Sequence, residues 1–421
     1  MIVFPTKSIP RPAFVSTFVP ALLTMVFSSG RRLFGFISAL LASVVLSLVF
    51  GASSAAAHSA ANSPASNYRT KMLTVEPASD AYEVAVIETG IRFSLRWKSG
   101  PELIVPDYDG YPYLRIGPKG VEENQQSNAK YLNSSRFGSD TIPDGLKPEG
   151  PPEWKRISTE SVGRWHDHRI HWMSSELPES VVAEPGKSHI LPTAPIVFTA
   201  GPTTVTATTE MRWTPGPSAT PYWALAALLA LIAIGSALWA RNNLNRRRIA
   251  VRIACALCAV LVVADVVHLV GISFGVVGPL GEGLGRMVSV GFVSLAAWVI
   301  ALLGITLALR NRLDAPYLLT FSAALMAVVG GFADLGVLSK SSLPVAFGDG
   351  GPALVRILVA ATLGLGLGVA IAGVMLTTPI RVLNDAPGGE RLPGADYPDV
   401  QTGSVTEPAT PKATAKGWEL D

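Results

Sequence analysis

From Arg164 to Ser175 the chain reads RWHDHRIHWMSS, and three of its six histidines, His166, His168 and His171, fall within that stretch. Trp165, Trp172 and Met173 flank them. Imidazole nitrogen suits copper and zinc, and a nearby thioether such as Met173 favours Cu(I), which puts copper ahead of zinc. Whether the rings can share one ion depends on local structure. Side chains alternate faces along a strand. A strand would therefore group His166 and His168 with Ile170 and Trp172, and turn Asp167, Arg169, His171 and Met173 the other way. On a helix His168 and His171 would be neighbours, and in a turn all three could converge. The alternation fits a strand better than a helix, which predicts a split of two rings against one. The competing reading is structural. Asp167 would pair with Arg169 across a strand, the histidines would bond loop carbonyls, and the tryptophans would cap a β-domain. A pH-responsive role also fits neighbouring imidazoles.

A second set of candidates lies in apolar sequence, where ionisable side chains are costly and mark function by default. Asp265 and His268 are three apart, so a helix puts them on one face. They would bind a metal ion or relay protons. Asp334 and Arg356 would pair to set helix register, and Arg286 sits just before the third apolar span, so the outer half of the bundle could hold a polar cluster. Cys255 and Cys258 form Cys-x-x-Cys inside an apolar run. Redox motifs of this spacing sit at a helix N-terminus, where the thiolate is stabilised. Here the thiols read as small packing residues. Asp107 and Asp109 in DYDGYPY could hold calcium, but a hairpin turn accounts for both. No Gly-x-Ser-x-Gly, phosphate loop or His-Glu-x-x-His occurs, so no enzymatic activity is expected. Gly-rich GLGLGVAIAG from Gly364 lies inside an apolar run and serves helix packing.

The elements that must carry these residues follow from hydropathy. The chain has 421 residues, 49% hydrophobic and only 15% charged, against about 25% for soluble proteins. Net charge is +3 with no basic stripe, which excludes a nucleic-acid partner. Arg31 and Arg32 precede an apolar core and then GASSAAA, the pattern of a secretory signal. Residues 1–57 form that signal, with Met25 as an alternative start and an uncleaved anchor over 33–51 as the alternative fate. Cleavage after Ala57 would expose His58, whose α-amino and ring nitrogens can chelate one copper ion. Otherwise His58 opens a polar, flexible tail.

Residues 58–213 read as an exported β-domain. TKMLTVEP, YEVAVIE, IRFSLRW, ELIVPDY, YPYLRI, PIVFTA and TTVTATTEMRW alternate apolar and polar residues, as half-buried strands do. Asp109-Gly110 and Gly201-Pro202 mark turns between them. The middle, from Lys119 to Gly163, reads as long loops. An antiparallel sandwich without cysteines is expected. A Pro-rich linker over 214–221 then leads to five spans, Tyr222–Ala240, Ile253–Gly275, Met287–Leu309, Tyr317–Leu338 and Leu354–Leu376. RNNLNRRR and RNRLD follow the first and third spans, so these basic loops are placed in the cytoplasm. That puts the β-domain outside the plasma membrane and a disordered tail, 377–421, inside. The fold class is thus multidomain: an all-β domain followed by an all-α transmembrane bundle of about five helices.

SNYRTKMLTVEP, GYPYLRIGPKGVEENQQSNAKYLN, RWHDHRIHWM and MRWTPGPS together resemble a family of exported actinobacterial multi-pass membrane proteins. The resemblance runs from the signal through the first membrane helix. It implies the same architecture and carries no activity with it. The exported β-domain with its leading His58 is also similar, over a smaller extent, to CopC-type copper-binding domains, which begin with histidine as lytic monooxygenases do. Their further copper ligands have no match here. Three readings follow. The protein handles or senses copper in the envelope through His166, His168, His171 and His58, with Met173 near and Asp265 and His268 accepting the ion. Or its β-domain binds an envelope protein or polymer and the histidines are structural. Or it is a transporter, against which the lack of a visible internal repeat argues.

Overall fold

The computed structural model describes residues 65–135, 137, 138 and 141–377. The signal, Met25, His58 and the tail beyond Thr377 lie outside the described residues. Eleven strands come first among them: β1 (Tyr68–Glu76), β2 (Tyr82–Ile87), β3 (Arg92–Trp97), β4 (Leu103–Pro106), β5 (Pro112–Gly117), β6 (Gly120–Asn124), β7 (Trp154–Ser158), β8 (Val162–His166), β9 (His189–Leu191), β10 (Ile196–Ala200) and β11 (Thr203–Trp213). The larger antiparallel sheet runs β1-β11-β10-β4-β5-β6-β7, with β9 beside β11, and the smaller runs β2-β3-β8. Alternation decides which side chains go inside. Phe93 and Leu95 of β3 are fully buried, and they share one core with Trp165 of β8 and with Ile116, Phe198 and Val205 of the larger sheet.

The stretch 119–163 is not all loop, since it supplies β6, β7 and the start of β8. These strands are hard to see in the sequence because Glu122 on β6 is held by Arg115 and Arg156 of the neighbouring strands. Cross-strand ion pairs stand where apolar pairs would give the signal. The β4–β5 turn behaves as expected. Asp107 Oδ1 accepts the N–H groups of Asp109 at 3.0 Å and Tyr111 at 2.9 Å, and Ser127 Oγ donates to Oδ2 at 3.1 Å. Its carboxylate therefore closes the hairpin, and the left-handed φ of +92° at Gly110 completes it.

Five helices long and apolar enough to cross a membrane follow, which makes this a multi-pass membrane protein by length and composition. They are α1 (Thr220–Trp239), α2 (Leu244–Ser273), α3 (Leu280–Leu309), a fourth span over Ala315–Ser339 that opens with α4 (Ala315–Met326), and a fifth over Gly348–Thr377 that contains α5 (Gly351–Thr377). α2 and α3 begin earlier than hydropathy alone suggested, because the basic RRR and the segment from Leu280 are helical too. A methyl group on Gly364 would lie 2.3 Å from Ala226 O, so α1 and α5 meet backbone to backbone, as small residues in membrane helices allow. The fourth span departs from α geometry. It continues as a π-helix over Ala327–Gly331 and a 3-10 helix over Phe332–Ser339.

The β-domain is joined to the bundle by more than the chain. Ser66 and Ser342 exchange two backbone hydrogen bonds at 2.9 Å. Thr214 N–H donates to Asn67 O, and Ser341 Oγ donates to Thr214 O, both at 2.9 Å. The Pro-rich segment expected as a linker is therefore docked on the loop after the fourth span. A second contact lies between α2 and α3, where Val277 N–H donates to Glu88 Oε1 at 2.9 Å and Arg92 Nη2 donates to Val277 O at 2.8 Å. Glu88 and Thr89 hold left-handed φ values of 54° and 62° to make this approach. Such strain costs about 1–3 kcal/mol per residue and persists where surrounding contacts impose it. The basic residues Arg241, Arg246, Arg247, Arg248, Arg310 and Arg312 flank the other ends of the helices, where Arg247 bonds Leu376 O.

Candidate metal centre

The histidine segment begins as a strand and then turns. β8 ends at His166, which pairs with Arg92 of β3. Asp167 Oδ1 accepts the N–H of Arg169 at 3.0 Å, capping a 3-10 turn over His168–Ile170. Ile170 is fully buried, and its carbonyl accepts Thr70 Oγ1 at 2.6 Å, which pins the exit of the turn. His171 leaves with φ −139° and ψ 163°, extended again. The predicted split of two rings against one is thus overturned. One turn of chain between His166 and His171 brings all three rings together. Their centroids are 4.2 Å apart for His166–His171, 5.1 Å for His166–His168 and 5.2 Å for His168–His171.

The residues between the histidines build the support. Asp167 is fully buried, and both its oxygens are engaged. Trp165 Nε1 donates to Oδ2 at 2.8 Å, while Arg169 Nε donates to Oδ1 at 2.9 Å and Nη2 to Oδ2 at 2.7 Å. The pair is therefore local, two residues apart, rather than the cross-strand contact expected. Arg169 lies over the ring of Tyr108 at 5.1 Å. Tyr108 OH accepts the N–H of His168 at 3.1 Å and donates to Asn133 Oδ1. Burial and then the charge of Asp167 push the Tyr108 phenol well above its ordinary range. Burial pulls Arg169 down, but its bonds to Asp167 and that residue's charge outweigh burial and hold it above its usual value. The support is thus a neutral phenol beside a closed ion pair, with no carboxylate left over to act as a ligand.

The ring nitrogens point to a ligand set of imidazoles alone. His168 Nε2 lies 3.1 Å from Ser135 O, and His171 Nδ1 lies 3.2 Å from Trp172 O. A carbonyl on one ring nitrogen sets the tautomer and orientation of the ring, the arrangement found at metal-ligating histidine. One nitrogen from each of the three rings lies within 4.8 Å of the others. Nitrogens bound to one ion at about 2.0–2.1 Å would be about 3.3–3.6 Å apart, so small ring rotations close the set. Met173 lines the same open groove as His168, His171, Trp172 and Met211. A thioether thus shares a groove with two of the three rings, and the groove leaves room for a further ligand.

The intramembrane candidates are all buried but fall into separate contacts. His268 Nε2 meets Asp334 Oδ2 at 2.8 Å. Arg356 does not take the place expected for it beside Asp334. It donates instead to the carbonyls of Val337, at 3.3 Å, and Lys340. Both carbonyls lie at the end of the fourth span, where helix-terminal carbonyls run short of intrahelical partners, and the guanidinium bonds them there. Asp265 accepts Trp298 Nε1 at 2.8 Å. Arg286 donates to Ser273 O and Val276 O, which closes the end of α2. Cys255 and Cys258 are free thiols, buried in the bundle. Among the described residues, three metal-ligating side chains converge only at the histidine triad.

Sequence reasoning missed Tyr108, Glu88 and Trp298. Trp298 had a signal: an indole N–H in a membrane span needs an acceptor. Glu88 and Tyr108 had none, because both act through contacts far away in sequence. Compared with protein-family models, curated proteins and solved structures, the chain matches none of them.

Proposed function

We propose that this membrane protein handles or senses copper in the cell envelope, without catalysing a reaction, through His166, His168 and His171 of its β-domain. The observation that carries the reading is the convergence of the three rings, with one nitrogen of each within 4.8 Å of the others. The carbonyl partners of His168 and His171 support it, since a carbonyl on one ring nitrogen fixes the orientation of the ring, as in metal-ligating histidine. Met173 in the adjoining groove favours copper over zinc. The charge pattern supports a β-domain outside the plasma membrane, because the basic residues flank the helix ends away from the β-domain contacts. A leading His58 and the likeness to CopC-type domains would add a further ligand and a precedent. The test is metal analysis of the full chain purified in detergent. One copper ion per chain is expected, and none after replacement of all three histidines by alanine. Stoichiometric copper that survives the triple replacement overturns the assignment.

A second reading has its own observation. Asp167, Arg169, Trp165 and Tyr108 already form a closed network around the rings. On this reading the histidines complete that network, and the β-domain docks an envelope protein or polymer. It predicts that the triple replacement lowers the melting temperature equally with and without a chelator.

A further inference from the structure

The bundle holds a polar cluster that lies outside the histidine triad. Asp265 lies about two turns before the end of α2 and is 1% exposed. Its Oδ2 accepts the indole N–H of Trp298 from α3. Its Oδ1 faces Gly330 in the π-helical stretch of the fourth span. A methyl group there would lie 2.1 Å from Oδ1 and 3.1 Å from Thr362 Cγ2 of α5. Thr362 is fully buried, and its hydroxyl has no hydrogen-bond partner among the described residues.

The charged groups around Asp265 come from α2 itself and from three of the four spans around it. α2 itself supplies His268, one turn on, and the 3-10 stretch supplies Asp334, which His268 holds. α5 supplies Arg356, whose guanidinium is turned to the Val337 and Lys340 carbonyls. α3 carries Arg286 near its start, bonded to the carbonyls of Ser273 and Val276. α1 carries no charged residue.

A carboxylate desolvated to this degree needs either a cation or a proton. A hard cation takes about six or more oxygens, whereas Asp265 meets an indole N–H, a glycine and only two hydroxyl-bearing side chains, Ser294 and Thr362. We propose that Asp265 is a reversible proton-binding site of the membrane domain, reached from the β-domain end through His268 and Asp334. The proton joins Oδ1, converting the anion to the neutral acid, and returns by the same route. Access is one-sided. Toward the β-domain, His268, Asp334 and Arg356 lead to Lys340–Ser342, where Ser341 meets Asn67. Toward the other end, Leu261, Leu319, Met326 and Leu365 are buried in one hydrophobic cluster of the bundle. Protonation also turns Oδ1 from an acceptor into a donor beside backbone that has left the α pattern, and π-helical turns of this kind recur at functional sites. The Asp265 proton would thereby bias the fourth span.

The test uses the full chain in phospholipid vesicles. An apolar carbodiimide, which reacts with the protonated acid and not with the carboxylate, is added at neutral pH, and the modified peptide is mapped by mass spectrometry. Labelling at Asp265 is expected, falling as pH is raised. Infrared spectra should show a protonated carboxyl band at neutral pH that Asp265→Asn loses and Asp265→Glu retains. Labelling confined to Asp334, no labelling at all, or a band unchanged in Asp265→Asn would overturn the proposal. The carbodiimide arm needs only the wild-type chain, so a variant that fails to fold does not rescue it.

Discussion

The histidine triad and the Asp265 cluster are both small sets of ionisable groups, yet they are assembled in opposite ways. His166, His168 and His171 come from six consecutive residues and meet because one 3-10 turn interrupts a strand. Asp265, Trp298, Gly330, Asp334 and Thr362 come from four spans and meet because the helices approach closely. The triad borders an open groove, so an ion can arrive from solvent. The Asp265 cluster is sealed in the bundle, so little but a proton can reach it. A local site is exposed to loss of its turn. An assembled site is exposed to loss of helix packing.

The largest effect should come from the support of the triad. Asp167→Ala removes one partner of a buried ion pair, which costs about 3–5 kcal/mol. Thermal melts should show that loss, and copper binding should weaken with it, because the turn no longer gathers the rings. Intact affinity in Asp167→Ala would mean that the ring positions do not depend on the turn. Next is copper itself. At a hundredfold excess over the dissociation constant a ligand stabilises the folded state by about 2.7 kcal/mol. Melts of the full chain should gain that increment, and the His166, His168 and His171 triple alanine variant should gain none.

Packing in the bundle is smaller in expected effect and should leave copper untouched. Gly364→Ala forces a methyl group against Ala226 O, and overpacking of this kind costs about 1–3 kcal/mol. A detergent melt should register it while copper titration does not change. If copper affinity falls as well, the two regions are coupled through the Glu88–Val277 contact. The smallest change is expected for Cys255→Ala with Cys258→Ala. Near-isosteric apolar swaps cost less than about 1.5 kcal/mol, and added reductant should alter neither the wild-type melt nor its copper binding.

Legibility followed sequence distance. The strands with alternating hydropathy, the β4–β5 hairpin and five apolar helices were readable, because each depends on residues close together in the chain. β6 and β7 were not, since Glu122, Arg115 and Arg156 stabilise them through charge and mask their alternation. The triad was half legible. Its residues were evident from type and spacing, but alternation put His171 on the wrong face. Asp167 had a capping role that pattern counting does not weigh, and it bends the chain just where the rings are needed. Arg356 went astray for a different reason. Its expected partner was a charge, whereas the fourth span offered carbonyls that no linear pattern announces.

The sequence by itself determined the order of parts: a β-domain, then apolar helices, with histidines in the first and a few costly ionisable residues in the second. Hydropathy period and length carry that information because they reflect which surfaces must leave water. Only the tertiary structure decided which of these residues meet. It turned His171 toward His166, gave Asp334 to His268 rather than Arg356, and placed Asp265 against a π-helical glycine. Those outcomes depend on where hydrogen-bonding groups are left over once the chain has packed, and that accounting can be done only in three dimensions.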